Sequence, residues 1–304
     1  MPAEEWAAEV SIDAALVRRV LAAQFPELAL GSLRVLGEGW DNSVWIVDER
    51  WVFRFPRREV AVAPGERQVV LLPRLGAFLP LPIPQPVFVG RPDDDFPWPF
   101  FGAPLLPGNE AAQVSNDGAR EATAVALAGF LRALHDPALL ELDGIDALPF
   151  DPTGRSDMSF RVPRARARMT ELFALGLWDP PAAVEEILAL AEPLPPATGL
   201  AVAHGDLHLR HLLIGDDGAL SAVIDWDDLC RGDPCIDFVL YWSFLPPAAR
   251  PAFLDAYPVA EEPLLRARVL SLFLCGSLAV LARHEGLPAL ERGCVAGLER
   301  TIAD

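Results

Sequence analysis

Two periodicities divide the chain. Between residues 33 and 56 apolar and polar positions alternate in the runs LRVLGEG, SVWIVD and WVFRFP, and this period of two predicts three strands. Upstream, residues 11–25 set Ile12, Leu16, Val20 and Leu21 on one helical face, with Ser11 as the expected cap and Pro26 as the stop. Residues 60–79 again carry a helical pattern, with Pro64 near its start. A further strand is expected at 86–90. From Ser115, an expected cap, the pattern is mainly helical. Helices are expected after Ser115, over 155–192 with breaks at Pro163, Pro180 and Pro181, and over 235–245, 248–257 and 263–303. Residues 202–228 interrupt this run. There HLLIG and SAVID flank the turn signal DDG, the pattern of a hairpin.

The interruption also concentrates chemistry. Three of the five histidines, His204, His208 and His211, lie within it, with Asp206, Asp225, Asp227 and Asp228. Asp206 precedes one strand of the hairpin and Asp225 ends the other, so the hairpin brings the two carboxylates together. Phosphoryl transfer needs an acceptor for a hydroxyl proton and oxygen ligands for a divalent cation. Asp206 suits the first role, Asp225 the second, and His211 stands five residues after the base as a further ligand. The bland alternative is a loop of solvated acids with a capping histidine.

The kinase catalytic loop reads H-R-D-x-x-x-x-N and is followed by D-F-G. Here the chain reads H-G-D-L-H-L-R-H, then I-D-W. The stretch therefore resembles the aminoglycoside and macrolide phosphotransferases, antibiotic kinases of protein-kinase-like fold. That resemblance implies a two-lobe α+β fold, with a small, mainly antiparallel sheet in residues 1–106 that binds nucleotide. Residues 107–304 would form a larger helical lobe that binds the acceptor and carries out catalysis. ATP or GTP would lie between the lobes with Mg²⁺, and an aminoglycoside- or macrolide-like hydroxyl would accept the γ-phosphate.

Further roles follow from the same resemblance. Gly39, Asn42 and Ser43 would lie over the nucleotide phosphates. Arg54 occupies the place of the usual phosphate-binding lysine, with Glu66 as its expected partner and Glu59 as a rival; Arg57 and Arg58 are rivals to Arg54 itself. The amide of Leu106 would meet the nucleobase. His204 joins Asp206 and His211 among the catalytic candidates, chiefly as a brace for the loop, while His208 would face the acceptor. His211 would bind the cation directly, bind it through water, hydrogen-bond Asp206, or favour Mn²⁺. Asp237, in D-P-x-x-D-F, would hold the loop by its backbone amides. Trp178 would border the acceptor. Apart from the resemblance, His135 at the end of the helix after Ser115 reads as a dipole-complementing or capping residue. Competing readings are a nucleotide-binding scaffold, a kinase of a small hydroxylated metabolite, and a metal-dependent hydrolase.

Composition narrows these readings. The net charge of −18 opposes nucleic-acid binding and favours a cationic small molecule, or serves solubility alone. The chain has no lysine, so all 25 basic residues are arginine. Mean hydropathy is +0.25, yet the longest apolar stretch, 269–281, falls short of the roughly 18 residues of a membrane span and predicts a buried helix. The acidic N-terminus does not read as a signal peptide. Cys230, Cys235, Cys275 and Cys294 lack zinc-like spacing and suggest reduced thiols in a cytoplasmic monomer or dimer.

Overall fold

A computed structural model describes residues 8–39, 41–113 and 117–304. The chain forms two compact units, the first running to Ala77 and resuming over Ile83–Leu106, the second comprising Phe78–Pro82 and Pro107–Asp304.

The first unit opens with helix α1 (Ala14–Gln24), capped by Asp13, whose carboxylate accepts the Leu16 N–H at 2.8 Å. Ser11 is therefore not the cap: the helix begins two residues later than expected, at the stronger carboxylate acceptor. Strands β1 (Leu33–Glu38), β2 (Asn42–Val47) and β3 (Trp51–Pro56) follow. Helix α2 (Val62–Leu75) precedes β4 (Phe88–Gly90) and β5 (Phe100–Pro104). The sheet is antiparallel throughout, in the order β1-β2-β3-β5-β4. Period-two alternation sends Phe53 and Phe55 inward to pack with Phe96, Phe100 and the apolar stripe of α1. Arg54, between them, emerges half-buried on the opposite face.

The second unit begins with β6 (Asn109–Glu110) and α3 (Asp117–Leu134). Ser115 lies outside the described residues. Helix α4 (Met158–Ala174) runs through Pro163, contrary to the expected break. Its buried stripe of Met158, Val162, Ala165, Met169 and Leu172 outweighs the one hydrogen bond that proline removes. After α5 (Ala182–Ala191) come β7 (Ala201–Ala203), β8 (Leu212–Ile214), β9 (Leu220–Val223) and β10 (Cys230–Gly232). Helices α6 (Val239–Ser243), α7 (Arg250–Ala256), α8 (Glu261–Glu285) and α9 (Pro288–Ile302) complete the chain. The helix expected over 263–303 is thus two helices, divided at Gly286, whose left-handed φ of 68° closes α8. Helix α8 has the length and apolarity to cross a membrane, but 61% of its apolar window is buried inside the protein, as in a core helix.

The strand pairings position the chemistry. β7 pairs with β10, and β8 pairs with β9. The 204–211 segment leaves β7 and enters β8; the 224–229 segment leaves β9 and enters β10. Both segments are held side by side at each end, and the Ile224 N–H donates to the His211 carbonyl at 2.9 Å.

Candidate active site

His211 lies between the two aspartates that the hairpin brings together. Its Nε2 is 3.3 Å from Asp225 Oδ2, and its Nδ1 is 2.7 Å from the Asp206 carbonyl and 4.0 Å from Asp206 Oδ2. Asp225 adopts a left-handed φ of 66°, a conformation that costs energy in a non-glycine residue and that strained functional positions often show. His208 is buried and lies against the His211 ring, tilted by 33° with centroids 3.7 Å apart. Its Nε2 approaches Asp206 Oδ2 at 3.4 Å, the carboxylate oxygen that does not bond Arg155. His204 is fully buried; its Nε2 bonds the Ile224 carbonyl at 2.9 Å, and the Asp206 N–H donates to its Nδ1 at 3.3 Å. That is the geometry of a brace between the two loops.

Beneath the loop sits Asp237, with no exposed surface. It accepts the His204 N–H at 2.8 Å and the Gly205 N–H at 3.0 Å, and meets His135 Nε2 at 3.1 Å. His135 is therefore committed to Asp237 and to the Tyr257 hydroxyl, not to helix carbonyls. Gly205 has φ +89°, and a Cβ there would lie 2.1 Å from the Asp228 carbonyl oxygen. Only glycine lets the second loop rest directly on the first.

Arg155, which sequence reasoning missed, completes the centre. Its Nη2 donates to Asp206 Oδ1 at 2.6 Å and to Asp228 Oδ2 at 3.0 Å. The sequence shows only one arginine among many in a polar loop, so nothing short of the fold reveals its placement. Burial alone would raise the Asp206 carboxyl, but His208, Arg155 and His211 outweigh it and hold Asp206 well below the usual carboxylate range. Burial, reinforced by His211, pushes His208 down to about 4. His211 moves the other way: burial opposes its charge, but Asp225 and Asp206 on either side raise it. Burial alone would raise Asp237, but its bonds to His135 and the Gly205 N–H outweigh it and lower the carboxyl.

The first-unit candidates separate. Gly39 donates its N–H to the Asn42 carbonyl at 2.9 Å, closing the turn before β2. Asn42 is buried at the start of that strand. Ser43 is fully buried and its hydroxyl accepts the Trp45 indole N–H at 2.8 Å, so its side chain is an internal tie and not the phosphate contact expected. Arg54 is half-buried in mid-strand, while Glu66 is exposed on α2. Arg57 and Arg58 latch the glycine turn, bonding the Gly39 carbonyl and Asp41 Oδ1, each at 2.8 Å. Leu106 is half-buried just past β5, and the preceding amide, Leu105 N–H, is already given to the Arg50 carbonyl.

Two further side chains of the second unit turn inward. Trp178 is buried with its indole N–H on Glu299 at 2.5 Å. Arg161 of α4 is likewise buried and bonds the Gly154 carbonyl at 3.0 Å as well as that of Thr153.

Comparison with known proteins accords with this architecture. The family profile of the phosphotransferase enzyme family (APH) matches residues 32–270. The GDP and kanamycin complex of APH(2")-IIia superposes with a TM-score of 0.67 at 21% identity, over 94% of this chain and 97% of that one. Macrolide 2'-phosphotransferase MphH from Brachybacterium faecium gives 0.60 at 24% identity, over 94% and 98%. A sequence relative, the uncharacterized protein YcbJ of Bacillus subtilis (strain 168), is 35% identical over 60 residues, and that match spans a fifth (20%) of either protein. The structural likenesses establish the kinase-like fold of the antibiotic kinases. With the family profile covering most of its length, the chain belongs to the phosphotransferase enzyme family.

Proposed function

We propose that the protein transfers the γ-phosphate of ATP or GTP to a hydroxyl of an aminoglycoside- or macrolide-like acceptor. The observation that carries this reading is the placement of His211, within 4.0 Å of the Asp206 carboxylate and 3.3 Å of Asp225. Asp206 then orients the acceptor hydroxyl and takes its proton. Catalysis of this kind is mainly positioning and charge neutralisation. A carboxylate held ionised, as Asp206 is, suits hydrogen-bonding and orienting a hydroxyl. The net charge of −18, with Asp225, Asp227 and Asp228 close in sequence to one another, favours a cationic acceptor.

A divalent cation fits the donors present. Asp225 offers a partly exposed carboxylate, and His211 turns Nε2 toward it while Nδ1 is tied to a backbone carbonyl. Tying the second ring nitrogen in this way orients an imidazole for ligation. Carboxylate oxygen suits Mg²⁺, and the imidazole nitrogen shifts the preference toward Mn²⁺. When bound, the cation supplies neutralisation of the phosphate charge. In the first unit we assign the phosphates to Gly39, Asn42 and Arg54, with Glu66 supporting Arg54 and the Leu106 amide meeting the nucleobase. A cytoplasmic setting follows from this chemistry, which draws on nucleoside triphosphate.

Asp206→Ala is expected to lower phosphoryl transfer by about 10²–10⁴-fold while nucleotide binding persists. The measurement is nucleotide consumption against a panel of aminoglycosides, macrolides and amino alcohols, with nucleotide affinity followed by calorimetry. Wild-type turnover in that variant would remove Asp206 from the role of base.

A further inference from the structure

Arg155 is placed with more care than a charge-balancing arginine needs. It is buried, and one nitrogen, Nη2, serves both Asp206 Oδ1 at 2.6 Å and Asp228 Oδ2 at 3.0 Å, while Nη1 bonds the Thr153 hydroxyl at 3.0 Å. The loop beneath it is fixed from three sides. Asp151, at φ +32°, accepts the Arg155 N–H at 2.7 Å and the Ser156 N–H at 2.9 Å. Its own N–H is anchored on the Arg231 carbonyl of β10 at 2.8 Å. Arg161 of α4 bonds the Gly154 carbonyl, and Arg266 of α8 bonds the Ser156 carbonyl at 3.0 Å. A guanidinium held so firmly fixes the carboxylate it touches, because charge-assisted bonds are short and directional.

The two oxygens of Asp206 are therefore not equivalent. Oδ1 is occupied by a buried cation at 2.6 Å. Oδ2 faces His208 Nε2 at 3.4 Å, a longer contact that an incoming hydroxyl displaces more readily. We propose that Arg155 is a positioning residue of the reaction: it pins Oδ1 of Asp206 and so presents Oδ2 as the oxygen that receives the acceptor hydroxyl. This rests on the reading of Asp206 as the base. Asp228 completes the arrangement by balancing the second half of the guanidinium charge and holding Nη2 from the other side.

The test is a double-mutant cycle on the full chain. Turnover of MgATP and MgGTP is followed with water, kanamycin and erythromycin as acceptors. Arg155→Ala is expected to lower kcat by about 10–10²-fold, the scale of a misplaced catalytic group, while the nucleotide KM stays within about 2-fold. Arg155→Lys is expected to recover part of the loss, since the charge returns without the fork. In an Asp206→Ala background, removing Arg155 is expected to cost nothing further, because its effect runs through that carboxylate. The proposal falls if Arg155→Ala keeps the wild-type kcat while Asp206→Ala is inactive. It also falls if Arg155→Ala lowers the residual rate of Asp206→Ala by the same factor as in wild type, the mark of a purely structural role. Should Arg155→Ala not fold, Arg155→Lys and Arg155→Met carry the same comparison. Full turnover in Asp206→Ala overturns the base assignment itself, and this proposal with it.

Discussion

At the scale of single residues, the spacing of H-G-D-x-x-x-x-H already contains the conflict that the fold resolves at Gly205. The loop must turn at φ +89° while the carbonyl of Asp228 lies where a Cβ would stand, 2.1 Å away. Gly205→Ala meets both a backbone cost of order 1–3 kcal/mol and a steric overlap with main chain. We expect it to destabilise the protein by at least about 2 kcal/mol and to displace Asp206, which urea unfolding and nucleotide turnover will register together. A stable, fully active Gly205→Ala variant would mean that the two loops separate at no cost. Asp206, His211 and Asp225 were legible as a group because a hairpin has few ways to place its ends. Ser43 and Arg155 were not, for opposite reasons. Ser43 looks like a loop hydroxyl, but the strand begins one residue before it and turns the hydroxyl into the sheet, toward Trp45. Arg155 reaches Asp206 across 51 positions of sequence, a separation over which no periodicity carries information.

At the scale of elements, Asp237 couples three of them. It lies in the 3-10 turn Pro234–Asp237, bonds two amides of the segment leaving β7, and meets His135 at the end of α3. Its folded-state pKa is depressed, so its stabilising contribution is fully present above the unfolded value of about 3.9 and is lost as pH falls through the lower folded value. Asp237→Asn removes that dependence along with a charge-assisted bond, at a cost of about 1.5–3 kcal/mol near neutral pH. Urea unfolding from pH 7 down to about pH 2 is expected to show an acid loss that sets in below about pH 4 for the wild type and a flatter curve for the variant. Parallel curves would assign the acid sensitivity elsewhere. The elements themselves follow local rules wherever packing agrees with propensity: DDG makes the β8–β9 turn, and alternation makes β2 and β3. They depart where packing decides, as at Pro163, carried inside α4 by the buried stripe on either side of it.

At the scale of the whole molecule, the cysteines distinguish the two units. Cys230, Cys235, Cys275 and Cys294 are free and buried, and all four belong to the second unit. Burial raises every one of these thiols, Cys275 to about 11, so the reactive thiolate is suppressed in addition to being shielded. The first unit contains no cysteine but carries Trp45, Trp51 and Trp98, of which Trp45 is buried in its aromatic core. Thiol labelling therefore reports opening of the second unit alone, whereas tryptophan emission reports both. Under native conditions we expect labelling by an aromatic disulfide to be negligible over minutes and complete on denaturation. Because each unit has a core of its own, the two probes need not follow one transition. If they coincide in urea, the units unfold together. If emission changes first while the thiols stay protected, the sheet unit opens on its own and the loops carrying Asp206 and Asp225 keep their frame. Rapid labelling of any thiol in the native state would contradict the burial on which this argument depends.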